Sequence, residues 1–103
     1  MNLYDAAKVL RSKNSGPFQI TLDILFDDER LYQKVKESGI ISRETISRLY
    51  RLPLKDVLEP ICYDNALGIK VTYNRPVSSG TVGDRDVYGA QQHGPLMELE
   101  IPD

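Results

Sequence analysis

The sequence predicts an α+β fold: a ferredoxin-like βαββαβ sandwich, with a four-stranded antiparallel sheet, helices on one face, and a short helical segment ahead of it. Three observations predict it. Residues 18–26 and 67–73 alternate apolar and polar side chains, the period of half-buried strands. Between them lie two short segments with helical spacing and recognisable caps. The chain has 103 residues, which suits one domain over residues 1–103 and one core of modest depth.

The elements follow in order. Leu3, Ala6, Ala7 and Leu10 are spaced three or four apart, so residues 3–10 read as about two turns of amphipathic helix. Arg11-Ser12-Lys13-Asn14-Ser15-Gly16-Pro17 carries turn chemistry and is expected to be a polar turn. In residues 18–26, Phe18, Ile20, Leu22, Ile24 and Phe26 share one face; Gln19, Thr21, Asp23 and Leu25 share the other. Asp27 or Asp28 can cap the next helix, which Gly39 ends. Ser42 caps a second helix bearing Ile46, Leu49 and Tyr50, and Pro53 lies beyond its end.

Residues 57–63 read as a strand that Pro60 confines to an edge or bulge. Asp64-Asn65 turns the chain into residues 67–73, with Lys70 and Thr72 opposite the apolar face. Residues 74–83 are expected to be a loop, with a weak helical turn around 87–92. Residues 96–101 are expected to form the last strand, and a right-handed crossover would set it beside the first.

Composition narrows the function classes. Hydrophobic residues make up 41% and charged residues 27%, an ordinary globular balance. Thirteen Lys and Arg against fifteen Asp and Glu give a formal charge of −2, which speaks against a nucleic-acid binder working through a basic face. Cys62 is the single cysteine, so an intrachain disulfide and a Cys-rich zinc site are excluded. It is expected to be buried and inert in an apolar strand. Without a basic-then-apolar leader or a long apolar run, the expected setting is cytoplasmic.

Two polar segments could carry chemistry. In the first, Arg11, Ser12, Lys13 and Asn14 could wrap a phosphate or carboxylate, since a turn with free N–H groups forms an anion nest. A solvated turn after a helix is the reading the sequence favours for the same residues, because no phosphate-loop spacing is present. The second runs from Gly80 to Gly94 and holds Asp84, Asp86, Tyr88, Gln91, Gln92 and His93. Residues 74–94 are too long for a simple connection, which points to function or mobility. His93 is the candidate acid–base group, with Gln91 and Gln92 orienting substrate. A structural His in a glycine-rich loop is the competing reading. No nucleophile–base pair, phosphate loop, zinc pattern or dinucleotide fingerprint is present, so no cofactor or metal is assigned.

The run from Leu3 to Phe18, the strand up to Phe26-Asp27-Asp28, and Asp86-Val87-Tyr88-Gly89-Ala90-Gln91-Gln92-His93-Gly94-Pro95-Leu96 together resemble a small bacterial family of unknown function. That family is associated with AtuA-like proteins, named for acyclic terpene utilisation, and the resemblance covers nearly the whole chain. The opening is also similar to the C-terminal domain of larger AtuA-like proteins, where Leu-x-Asp-Leu-Ala…Arg-Ser-Gly-Asp-Lys-Gly precedes a strand. Leu3, Asp5, Ala7, Arg11, Ser12 and Gly16 answer to that pattern, while Lys13-Asn14-Ser15 departs from it. The resemblance implies a ferredoxin-like fold and a domain fused in some proteins but supplied here as a separate small chain. Its implied partner is an AtuA-like large subunit, and its implied context is acyl-CoA or organic-acid catabolism.

The expectation is therefore an accessory subunit that completes or gates a partner's site for an anionic substrate. A homodimeric module binding a small anionic ligand is the alternative. Neither reading involves nucleic acid or a membrane.

Overall fold

The computed structural model describes residues 1–16, 18–74, 94–97 and 99–102. Helix α1 (Leu3–Ala6) is followed by strands β1 (Val9–Gly16) and β2 (Gln19–Leu25), then helices α2 (Glu29–Ser38) and α3 (Arg43–Tyr50). Strands β3 (Ile61–Tyr63) and β4 (Gly68–Asn74) come next, and a short α4 (Gly94–Met97) lies near the C-terminus. Two 3-10 turns, Leu54–Asp56 and Asp64–Ala66, lead into and out of β3.

Local chemistry sets the helix ends. Asp28 accepts hydrogen bonds from the backbone N–H of Arg30 (2.8 Å) and Leu31 (3.4 Å) and so starts α2. Gly39 ends it at φ 70°, a left-handed conformation that glycine adopts without steric cost. Ser42 accepts from Thr45 N–H at 3.1 Å to start α3. Arg43 then reaches back, donating from Nε to the Val57 carbonyl and from Nη2 to the Leu54 carbonyl, at 2.7 and 2.8 Å. These two charge-assisted bonds fasten α3 to the segment entering β3.

The four strands form one antiparallel sheet in the order β1-β2-β4-β3. Strands β2 and β3 both run antiparallel to β4, hence parallel to each other with β4 inserted between them. This is a split β-α-β unit, crossed over by α2 and α3. The remaining edge belongs to β1, joined to β2 as a hairpin.

Ile20, Leu22 and Ile24 of β2 and Ile69, Val71 and Tyr73 of β4 share one face. They form a single core with Tyr32 and Val35 of α2, Ile46 of α3, and Leu3, Leu96, Leu99 and Ile101 from the chain ends. Ring contacts between Phe26 and Tyr32 (6.0 Å) and between Tyr50 and Tyr73 (5.2 Å) join sheet to helices. The ends are also sewn together: Leu3 N–H donates to the Leu99 carbonyl and Ile101 N–H to the Met1 carbonyl, at 2.8 and 2.9 Å.

Several expectations need correction. The N-terminal helix stops at Ala6, and the expected polar turn of residues 11–17 is strand β1 through Gly16. An edge strand tolerates charge, and Ser12 and Asn14 occupy its inward positions, so β1 lacks the apolar alternation that marks β2. Among the described residues of 96–101, none belongs to a strand of the sheet. Leu96 of α4 and Leu99 are both buried at a three-residue spacing, and an Asn2–Glu100 bridge follows. The edge assigned to a last strand is held by β1, so the order departs from the ferredoxin-like βαββαβ pattern. The strand expected over residues 57–63 is reduced to Ile61–Tyr63 plus an isolated Val57–Tyr73 bridge. The loop of residues 74–83 falls, beyond Asn74, outside the described residues, as does the weak helical turn of residues 87–92.

Candidate functional site

The helices cover one face of the sheet. On the other face, cross-strand partners stand in rows, because directly paired residues project to the same side. One row is Arg11, Asp23, Lys70 and Ile61, contributed by β1, β2, β4 and β3. The next is Lys13, Thr21 and Thr72. On the other side of the charged row lie Val9, Leu25, Gly68 and Tyr63.

Polar pairs hold this face in register. Arg11 Nε donates to Asp23 Oδ2 at 3.1 Å, the Thr21 and Thr72 hydroxyls meet at 3.3 Å, and Gln19 Nε2 donates to Asn74 Oδ1 at 3.1 Å. Asp23 is the buried member of its pair: its side chain is 7% exposed against 59% for Arg11. A carboxylate taken out of water needs its partner, so Arg11 is bound to neutralise Asp23 as well as to face solvent. The Lys70 ammonium sits 5.7 Å from the centre of the Tyr63 ring, within cation–π range. Together these groups line a groove of about 290 Å³ containing Arg11, Lys13, Asp23, Leu25, Tyr63 and Lys70.

The sequence-predicted candidates divide accordingly. Arg11 and Lys13 stand on the open face, whereas Ser12 and Asn14 turn to the helix-covered side, and Ser12 is buried. The four therefore do not form one nest. Asp84, Asp86, Tyr88, Gln91, Gln92 and His93 lie outside the described residues. Sequence reasoning missed Asp23, Tyr63 and Lys70 as site residues. The signal was present in the alternation, which sets Lys70 and Thr72 on one strand face and Thr21 and Asp23 on another. Only the pairing of β2 with β4 makes those two faces the same surface.

A second polar cluster sits at the end of β3. Asp64 Oδ1 accepts from the Tyr32 hydroxyl at 2.5 Å and from Lys36 Nζ at 2.8 Å. The Lys36 bond, followed by the Tyr32 bond, pulls the Asp64 carboxyl below its ordinary range. Burial, then the bond to Asp64 and its charge, pushes the Tyr32 phenol above its ordinary value, so it stays a donor. The bond to Asp64 likewise raises Lys36. Cys62 is exposed beside this cluster, contrary to the expectation of burial, because β3 is a short edge strand. A third feature is a groove of about 600 Å³ at the N-terminal end, between Tyr4, Lys8, Leu10 and Met97.

Among the described residues, no group of three His, Cys, Asp or Glu side chains could hold a metal ion. Among them, too, no helix is long and apolar enough to cross a membrane. A family model described as a domain of unknown function, DUF4387, matches residues 3–100, and that description mentions no AtuA-like protein. No curated protein and no solved structure matches the chain.

Proposed function

This chain belongs to the DUF4387 family, and we propose that it is a small accessory subunit whose open sheet face completes or gates an anion site on a larger partner. The observation that supports this reading is the placement of the exposed cations Arg11 and Lys13 on a sheet face that the described helices leave uncovered. Its rim, where Ile61 and Tyr63 are 52% and 45% exposed, suits contact with another protein. The cations would bind substrate charge in a site closed by the partner. The resemblance of the Leu3–Phe18 run selects the partner: an AtuA-like large subunit acting in acyl-CoA or organic-acid catabolism. His93, Gln91 and Gln92 would orient substrate or move a proton there, with Asp84, Asp86 and Tyr88 beside them.

Co-expression with that large subunit tests the reading. The two chains are expected to co-purify, and Lys13→Glu is expected to weaken the complex while leaving the fold intact. Lys13 is the better target, because Arg11 also neutralises Asp23. Chains that never associate would remove the proposal.

One observation favours the second reading, a homodimeric regulatory module for a small anionic ligand. Leu54, Leu58, Ile61 and Tyr63 are all more than two-fifths exposed along one stretch of chain at the β3 edge. Sizing the isolated protein separates the two: a stable dimer supports the module, and a monomer supports the accessory subunit.

A further inference from the structure

We infer that the isolated chain carries, on its open sheet face, a binding site for a small organic dianion with an apolar body. This deepens the anion-site half of the reading above and does not depend on the docking half.

Charge comes first. Three cations, Arg11, Lys13 and Lys70, line the groove with one carboxylate, Asp23. The groove thus holds an excess of two positive charges, which a dianion neutralises and a monoanion does not. Asp23 stands between Arg11 and Lys70 in the same row, and its bond to Arg11 Nε fixes that guanidinium over the sheet. It acts as a positioning residue: the charge-assisted Nε bond holds the Arg11 guanidinium beside the groove. Neighbouring strands lie roughly 4.8 Å apart, so Arg11 and Lys70 are separated by about two strand spacings. With Asp23 neutralised by Arg11, a head group in the groove would be held by Lys13 and Lys70 together with the guanidinium.

The neighbouring row supplies the rest of the pocket. Gly68 is flanked by Leu25 on β2 and Tyr63 on β3. A Cβ at Gly68 would come within 2.7 Å of Leu25 Cδ2, so Leu25 itself packs over the bare glycine and forms the floor of an apolar slot beside the charged row. The exposed Tyr63 ring walls this slot and carries Lys70 against its face. An apolar group attached to the head would rest on Leu25, beside the Tyr63 ring. The groove volume of about 290 Å³ matches a small metabolite-sized molecule. A phosphate monoester and a substituted dicarboxylate share the required chemistry: charge −2 at one end and an apolar body at the other.

Titration calorimetry on the intact purified chain provides the test. The probes are phenyl phosphate, phenylmalonate, inorganic phosphate and benzoate. Phenyl phosphate and phenylmalonate are expected to bind at least tenfold more tightly than benzoate, and the tighter of the two identifies the head group. Lys70→Gln and Lys13→Gln are each expected to weaken both dianions about tenfold or more. Tyr63→Ala is expected to weaken phenyl phosphate while sparing inorganic phosphate. Circular dichroism monitors folding; if Lys70→Gln fails to fold, Lys13→Gln decides alone. Benzoate binding as well as phenyl phosphate, binding indifferent to the lysine variants, or no binding of any probe would overturn the inference. Each of those results leaves docking to be judged by co-purification, so the two failures are distinguishable.

Discussion

Asp64 shows how one side chain can tie folding to pH. It accepts from both the Lys36 ammonium and the Tyr32 hydroxyl, and its folded pKa lies below the unfolded value. The sign follows from linkage. A depressed carboxyl contributes stability above its unfolded pKa, near about 4, and loses it as pH falls through the folded value. Asp64→Asn is therefore expected to lower the melting temperature at neutral pH, with the gap from the parent protein closing in acid. Thermal melts across an acid series check this; a gap independent of pH would show that the pair contributes nothing through charge. The side chain is 62% exposed, so added salt is expected to shrink the gap as well. This cluster was not legible in the sequence, because Tyr32, Lys36 and Asp64 meet only when α2 lies against the end of β3.

Among the elements, the helix ends were the most legible, and the backbone at one of them is strained. Asp28, Gly39 and Ser42 act as the caps their residue types suggest, since capping is satisfied within a few residues. Helix α3, by contrast, ends on Arg51 at φ 55°, where a side-chain-bearing residue costs roughly 1–2 kcal/mol. Glycine there would remove that cost and return about 0.5–1 kcal/mol through its freer unfolded state. Arg51→Gly is expected to stabilise the protein by up to about 1 kcal/mol, measured by urea denaturation. A loss of stability would mean that the exposed arginine makes a contact worth more than the strain. Strand β1 was illegible for the opposite reason. Its polar outward residues and small inward ones satisfy an edge position, and edge status is a property of the sheet.

On the scale of the whole molecule, the two chain ends close the core together. Leu96 is fully buried with Leu3, and backbone bonds from Leu3 to Leu99 and from Ile101 to Met1 hold the termini side by side. The phenol of Tyr50 on α3 faces the Leu96 backbone and is raised above its ordinary value mainly by burial. Leu96→Ala is expected to cost about 2–5 kcal/mol, as for other fully buried leucines. Denaturant unfolding measures it; a cost near zero would mean that the C-terminal segment rests on the core without completing it. The same segment explains the misread final strand. Leu96, Leu99 and Ile101 are apolar enough to be buried, and alternation over six residues cannot separate a strand from a short helix that runs into an extended end.

The amino-acid sequence by itself determined the two central strands, the two capped helices between them and the α+β class. Each of those depends on contacts a few residues apart or on a period repeated within one segment. Tertiary structure alone decided which strand took the free edge, which faces became one surface, and that Arg11, Asp23 and Lys70 stand in one row. The row, for one, depends on pairing Arg11 with Asp23 and Asp23 with Lys70, residues 12 and 47 positions apart. Such pairing is chosen by the burial of the whole core and leaves no mark in any single stretch of chain.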